Sequence, residues 1–178
     1  MTTTAFVRET RPAPRIWPRW ALDAILWTLI LGPIVSPLFR ATGLPLLADA
    51  GLLARELLAT YVCPTPERSP LLFGMPMAVC ARCWGATLGL MAARMLADQR
   101  GRTWAPLQLF RAMPWALRLL ICALPFLLWP LEIVGHYAGW WYAPLWMLLL
   151  NGAQAGFAAG LLICSLWPGL WPAQQATR

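Results

Sequence analysis

Charge is scarce in this sequence. Only 12% of its 178 residues are charged, whereas 60% are hydrophobic. A soluble domain usually carries about 25% charged residues. That shortfall, with a mean hydropathy of +0.58, excludes an ordinary soluble domain and points to lipid as the solvent. Lysine is absent, so all 14 basic residues are Arg. They flank apolar runs instead of clustering on one solvated face, which excludes a nucleic-acid partner. Histidine occurs once, at His136, so neither bis-histidine haem ligation nor an H-E-x-x-H zinc motif is available. Trp84 follows Cys83 where covalent haem attachment needs His. No glycine-rich phosphate loop and no Ser/His/Asp set is present. Hydrolase chemistry is disfavoured, and an enzyme is the weaker expectation.

What is present organises itself around a bilayer. Four apolar segments, near 20–39, 78–96, 115–134 and 140–166, are long enough to cross about 30 Å of hydrocarbon. The 12 Trp residues suit the headgroup level, where an amphipathic ring has an apolar body and a polar edge. Prolines inside the spans predict kinks, with neighbouring helices satisfying the freed carbonyls. Between the first two spans, residues 46–62 place Asp49, Glu56 and Thr60 on one helical face among leucines. This pattern predicts an amphipathic helix lying in the interface. The expected fold is an all-α polytopic membrane protein with four transmembrane helices plus that interfacial helix. Residues 1–19 form a flexible cytoplasmic N-terminus leading into an uncleaved signal-anchor. Residues 20–166 form the membrane domain with an outer cysteine loop at 63–83, and 167–178 form a cytoplasmic tail.

Orientation follows from arginine placement. Arg8, Arg11, Arg15 and Arg19 precede the first span, and Arg94, Arg100, Arg102, Arg111 and Arg118 surround the second-to-third connection. Both termini and the 97–114 loop therefore face the cytoplasm, as expected of a multi-pass protein of a cell inner membrane. The cysteine loop and His136 face outward. Gly85 and Gly89 share a face of the second span, and Gly152, Gly156 and Gly160 form a stripe on the fourth. Small residues at this spacing let backbones approach closely in lipid. They join spans within one chain or join two chains in a homo-oligomer, the first being the simpler expectation.

The stretch CPTPERSPLLFGMPMAVCARCWG, residues 63–85, holds Cys63, Cys80 and Cys83. Thiolates at such spacing suit a soft or borderline metal such as zinc, iron or copper. A C-x-x-C at a helix start also favours redox chemistry, and a disulfide suits an oxidising outer side. All three readings stand on sequence alone. A metal would look to His136 for a fourth ligand. A tetrapyrrole on His136 ranks behind these. Cys122 and Cys164 sit mid-span among apolar residues and read as small hydrophobes.

The same stretch resembles the signature of an uncharacterised bacterial membrane-protein family, domain of unknown function 2085. Cys63, Pro66, Glu67, Arg68, Ser69, Gly74, Cys80, Ala81, Arg82, Cys83 and Gly85 carry the resemblance. Pro64 stands where the family has His, and Val134 precedes Gly135 where the family has Asp-Gly. The resemblance implies a multi-pass layout and supplies no activity.

Around the thiols, Glu67, Arg68 and Arg82 are expected to pin the loop as an ion pair or to hold an anionic group. Glu132, near the outer end of the third span, is either a functional intramembrane acid or a water-exposed one. Asn151 and Gln154, mid-depth in the fourth span, are expected to hydrogen-bond across helices. Three functions follow. The leading one is a small accessory or binding subunit of a larger membrane complex, with a cysteine-based structural or metal site. The others are a membrane redox or metal-handling protein using the three cysteines, and a small oligomeric transporter.

Overall fold

The computed structural model describes residues 18–63, 65–97 and 105–167. The expectations for the two termini and for Pro64, Arg100 and Arg102 lie outside the described residues. The described chain is mostly helical: α1 (Arg19–Ala41), α2 (Pro45–Tyr61), α3 (Ala81–Ala97), α4 (Ala105–Ala112), α5 (Trp115–Tyr137) and α6 (Leu145–Leu166). Between α2 and α3 lie a 3-10 turn, Pro66–Arg68, and a minimal antiparallel hairpin of β1 (Leu71–Leu72) and β2 (Met75–Pro76). The hairpin and α4 were not anticipated from the sequence. Phe73 and Gly74 both take positive φ, 53° and 75°. A two-residue hairpin turn needs that geometry to match the strand twist.

Three helices, α1, α5 and α6, are long and apolar enough to cross a membrane. Their burial is inverted relative to a water-soluble bundle. Along α5 the buried residues are Cys122, Glu132 and Gly135, whereas Leu120, Leu124, Leu127 and Leu131 are all exposed. Polar and small groups face the protein and leucines face out, as a lipid solvent requires. The α3 helix is shorter, at 17 residues, and is bordered by buried Arg82 and Arg94.

The centre of the structure is the contact of α3 with α6. Gly85 lies against Leu149, and Gly89 against Ala153 and Phe157. Gly152 lies against Arg82 and Ala86, Gly156 against Ala86, and Gly160 against Leu90 and Ala93. Residue numbers rise together on both sides, so the two helices run parallel in constant register. At four of these glycines a Cβ would run into backbone atoms of the opposite helix, and backbone cannot yield as a side chain can. All five glycines are thereby used within one chain.

The α1 helix runs antiparallel to α3. Leu22 and Leu26, near its start, pack with Cys164, Leu90 and Met91. Near its end, the backbone N–H of Ala78 donates to Pro33 O at 3.3 Å. That carbonyl is free because Pro37, four residues on, has no N–H to offer it. The kink expectation thus resolves into a docking point for the cysteine loop. The α2 helix meets α1 at Gly51, whose carbonyl accepts from the buried Ser36 hydroxyl at 2.7 Å. Phe110 of α4 is buried with Cys122 and Ala158, beneath α5 and α6.

Gly156→Leu is expected to destabilise the fold by at least about 2 kcal/mol, because overpacking against backbone has no relief. Gly32→Ala, with open space around it, should be neutral or stabilising by up to about 1 kcal/mol. Reversible unfolding in mixed micelles distinguishes them.

Candidate functional site

Two local rules bring the cysteines together. Cys80 immediately precedes α3 and Cys83 lies in its first turn, so their sulfurs fall on one side, 3.5 Å apart. Cys63 follows the end of α2, where its N–H caps Leu58 O at 2.9 Å. Its sulfur then accepts the backbone N–H of Cys80 at 3.1 Å. The three sulfurs all lie within 4.8 Å of one another. Cys63 and Cys80 are buried and Cys83 is half-buried, with Val79, Leu58 and Trp84 packed around them. The sulfurs are not bonded to one another.

The shared environment separates the thiols electrostatically. Hydrogen bonds from Cys63 first, then Cys83, hold the Cys80 thiol far below the ordinary cysteine range. Cys63 moves the opposite way, raised chiefly by its bond to Cys80. The geometry also meets a simple test. Thiolates bound tetrahedrally at about 2.3 Å from zinc sit about 3.8 Å apart, and the observed spacing brackets that value.

His136 does not join the cysteines. Its Nδ1 faces Arg68 Nη1 at 3.5 Å, and its ring packs against Tyr137 and Tyr142 at centroid distances of 5.6 and 5.5 Å. Since a guanidinium only donates, Nδ1 is the acceptor of this pair. Arg68 also donates to Ala143 O and stacks on Tyr142, 4.0 Å from the ring centroid. This is how the cysteine loop is pinned to the end of α5 and the start of α6. Glu67, by contrast, is exposed on the 3-10 turn, so the expected pairing among Glu67, Arg68 and Arg82 is not the one formed.

Arg82, one residue before Cys83, turns inward and is 1% exposed. Its partner is Glu132 of α5, itself 5% exposed. The Glu132 carboxylate, in the last turns of α5, is thus buried and neutralised rather than bathed in water. Arg82 Nε and Nη1 and Glu132 Oε1 are left without a hydrogen-bond partner. A second pair closes the other end of α3, where Arg94 reaches Asp23 of α1 through Nε at 2.8 Å and Nη2 at 3.0 Å. Neither pairing was expected from the sequence. The signal was an arginine near each end of α3, with one acid near the matching end of α1 and of α5. Asn151 does bond across helices, weakly, to Leu128 O at 3.5 Å. Gln154 bonds within α6, donating to Asn151 Oδ1 at 3.1 Å.

A protein-family model described as a predicted membrane protein, DUF2085, matches residues 63–162. The chain belongs to this family. The DUF2085 match opens on Cys63 and runs through the cysteine loop, α3 and α5 into α6, so it holds the thiol cluster, the Arg82–Glu132 pair and the glycine interface together. No curated protein and no solved structure matches the chain.

Glu132→Ala alone is expected to lower stability by about 3–5 kcal/mol, because it strands a buried guanidinium. Arg82→Met combined with Glu132→Leu should recover most of that loss. A double-mutant cycle by micellar unfolding reads the coupling.

Proposed function

We propose that this DUF2085 protein is a four-span membrane protein that binds one thiophilic metal ion through Cys63, Cys80 and Cys83 on the outer face. The observation that carries the reading is the mutual approach of three sulfurs to within 4.8 Å. A disulfide would join two and leave the third without a role. Three protein ligands with no histidine among them leave a coordination position open. Structural zinc sites are usually closed by four protein ligands, and open sites exchange ligands. The reading is therefore metal handling, by transfer or by binding of an outside ligand at the fourth position. Zinc, iron and copper all accept a thiolate set, copper in its reduced state. Metal binding displaces thiol protons, and Cys80 is already the most acidic of the set among groups outside the spans.

The topology supports this placement. The α3 helix runs beside the 22-residue α6 in parallel, with contacts from Arg82 to Ala93. Its first turn is level with the end of α5 through Glu132, and its last turn is level with the start of α1 through Asp23. A helix tied level with three spanning helices spans with them, although its 17 residues reach only about 26 Å. The arginine bias then puts both termini in the cytoplasm and the cysteines outside an inner membrane. The α2 helix buries only Gly51 and lays its leucines along the interface. The transporter reading loses its free carboxylate to Arg82, and the accessory-subunit reading gains no support from the described residues.

Detergent-purified protein is expected to carry about one zinc, iron or copper per chain by mass spectrometry, a stoichiometry following from one three-thiolate site. Cys80→Ser should abolish it, whereas His136→Gln should retain it. Absence of metal, with two thiols appearing only after reduction, would make the loop a disulfide staple. In intact cells, a membrane-impermeant maleimide should label an added cysteine at Ser69 and spare one added at Gln108. The reverse pattern would invert the topology.

A further inference from the structure

A groove of about 330 Å³ is lined by α5, α6 and Trp141 of the segment between them. Leu128, Leu131, Trp141, Met147 and Leu150 form its apolar walls, and Glu132, Asn151 and Gln154 contribute its few polar groups. The wall leucines are among the exposed residues of both helices, so the groove opens to the surrounding lipid. Polar groups in that position are expensive unless something answers them. They are only partly answered. Glu132 Oε1 is buried and has no hydrogen-bond partner. Among the described residues, Gln154 is exposed and its amide uses one donor, toward Asn151 Oδ1, while its carbonyl oxygen meets no donor. As a donor, the Asn151 amide makes one long contact, to Leu128 O at 3.5 Å.

The unmet groups include acceptors, Glu132 Oε1 and the Gln154 carbonyl oxygen, and a spare amide N–H on each of Asn151 and Gln154, so the missing partner is a group that both donates and accepts, as a hydroxyl does. Arg82 already neutralises Glu132, so a cationic donor would bring an unbalanced charge into lipid and a neutral one would not. A second transmembrane helix fits poorly. The glycines of α6 are all turned to α3, and the groove is rimmed by bulky side chains that prevent close helix approach. The volume is in the range of small-molecule sites, which are typically apolar with a few convergent polar groups.

We propose that the groove between α5 and α6 binds a lipid-soluble alcohol or phenol, with the apolar body against Leu128, Leu131, Met147 and Leu150 and the hydroxyl on the Gln154 and Asn151 amides beside Glu132. The hydroxyl donates to a carbonyl or carboxylate oxygen and accepts the remaining Gln154 N–H. This site is separate from the thiol cluster and does not depend on a metal being held there.

The test uses the full chain in phosphatidylcholine vesicles and two photoreactive probes, a diazirine-bearing twelve-carbon alcohol and the matching diazirine alkane. The alcohol is expected to label the 128–132 and 147–154 peptides about fivefold or more above the alkane, the ratio one buried hydrogen bond of about 1 kcal/mol supplies. Gln154→Leu alters an exposed side chain, preserves the fold and should reduce that ratio to near unity. Leu150→Trp, which fills the groove without touching the ion pair, should reduce alcohol labelling of these peptides to the alkane level. Equal labelling by both probes, or an alcohol preference untouched by both variants, would overturn the proposal. So would a disulfide joining two copies of a Gln154→Cys variant on addition of an oxidant to the vesicles, which would make this face a contact between two copies.

Discussion

Lipid offers no hydrophobic drive to press one helix against another, so close backbone contact must hold this bundle together. The glycine seam of α3 and α6 supplies it. Everything specific to the protein hangs from that seam. It fixes the position of a helix that is shorter than its apolar neighbours and carries a buried arginine near each end. Through that position it sets Arg82 against Glu132, Arg94 against Asp23, and Cys83 against Cys80 at one end of the helix. The arginine carbonyl that meets Gly152 belongs to the same residue whose side chain meets Glu132. The backbone and side chain of Arg82 therefore tie α3 to α6 and α5 at one level.

The cysteine cluster is built from outside this seam as well as from it. Two sulfurs come with α3, and the third is delivered by α2 through the Leu58 cap. Arg68 then clamps the intervening loop onto Tyr142 and Ala143, and Pro33 receives the backbone of Ala78. The site is held from three directions before any ion is considered. Holding ligands in place lowers the ordering entropy that binding must overcome.

The architecture was legible where it depends on local pattern. Apolar length disclosed α1, α5 and α6, and the amphipathic run disclosed α2 to within a residue. Four-residue glycine spacing disclosed which faces meet, and C-x-x-C at a helix start disclosed that two thiols meet. Pairings across distant segments were not legible. Nothing local to Glu132 says that Arg82, fifty residues earlier, is its partner. Nothing in the lone histidine says that Arg68 will claim it. His136 was matched to the thiols by elimination, as the only imidazole on that side. The structure instead gives it to a guanidinium and two tyrosines. The α4 helix and the hairpin at Phe73 escaped because eight residues and two-residue strands carry too little periodicity to detect.

The order in which the chain is made gives the parallel seam a further meaning. During synthesis α3 leaves the ribosome when Asp23 is already waiting for Arg94, but Glu132 and the whole glycine face of α6 are still to come. Arg82, at the start of α3, stands without its counter-ion until α5 emerges. The glycine face of α3 is covered only when residues beyond 145 arrive. A chain truncated before α6 lacks more than its last helix: it also loses the surface that packs α3, the helix whose first turn brings Cys83 to Cys80.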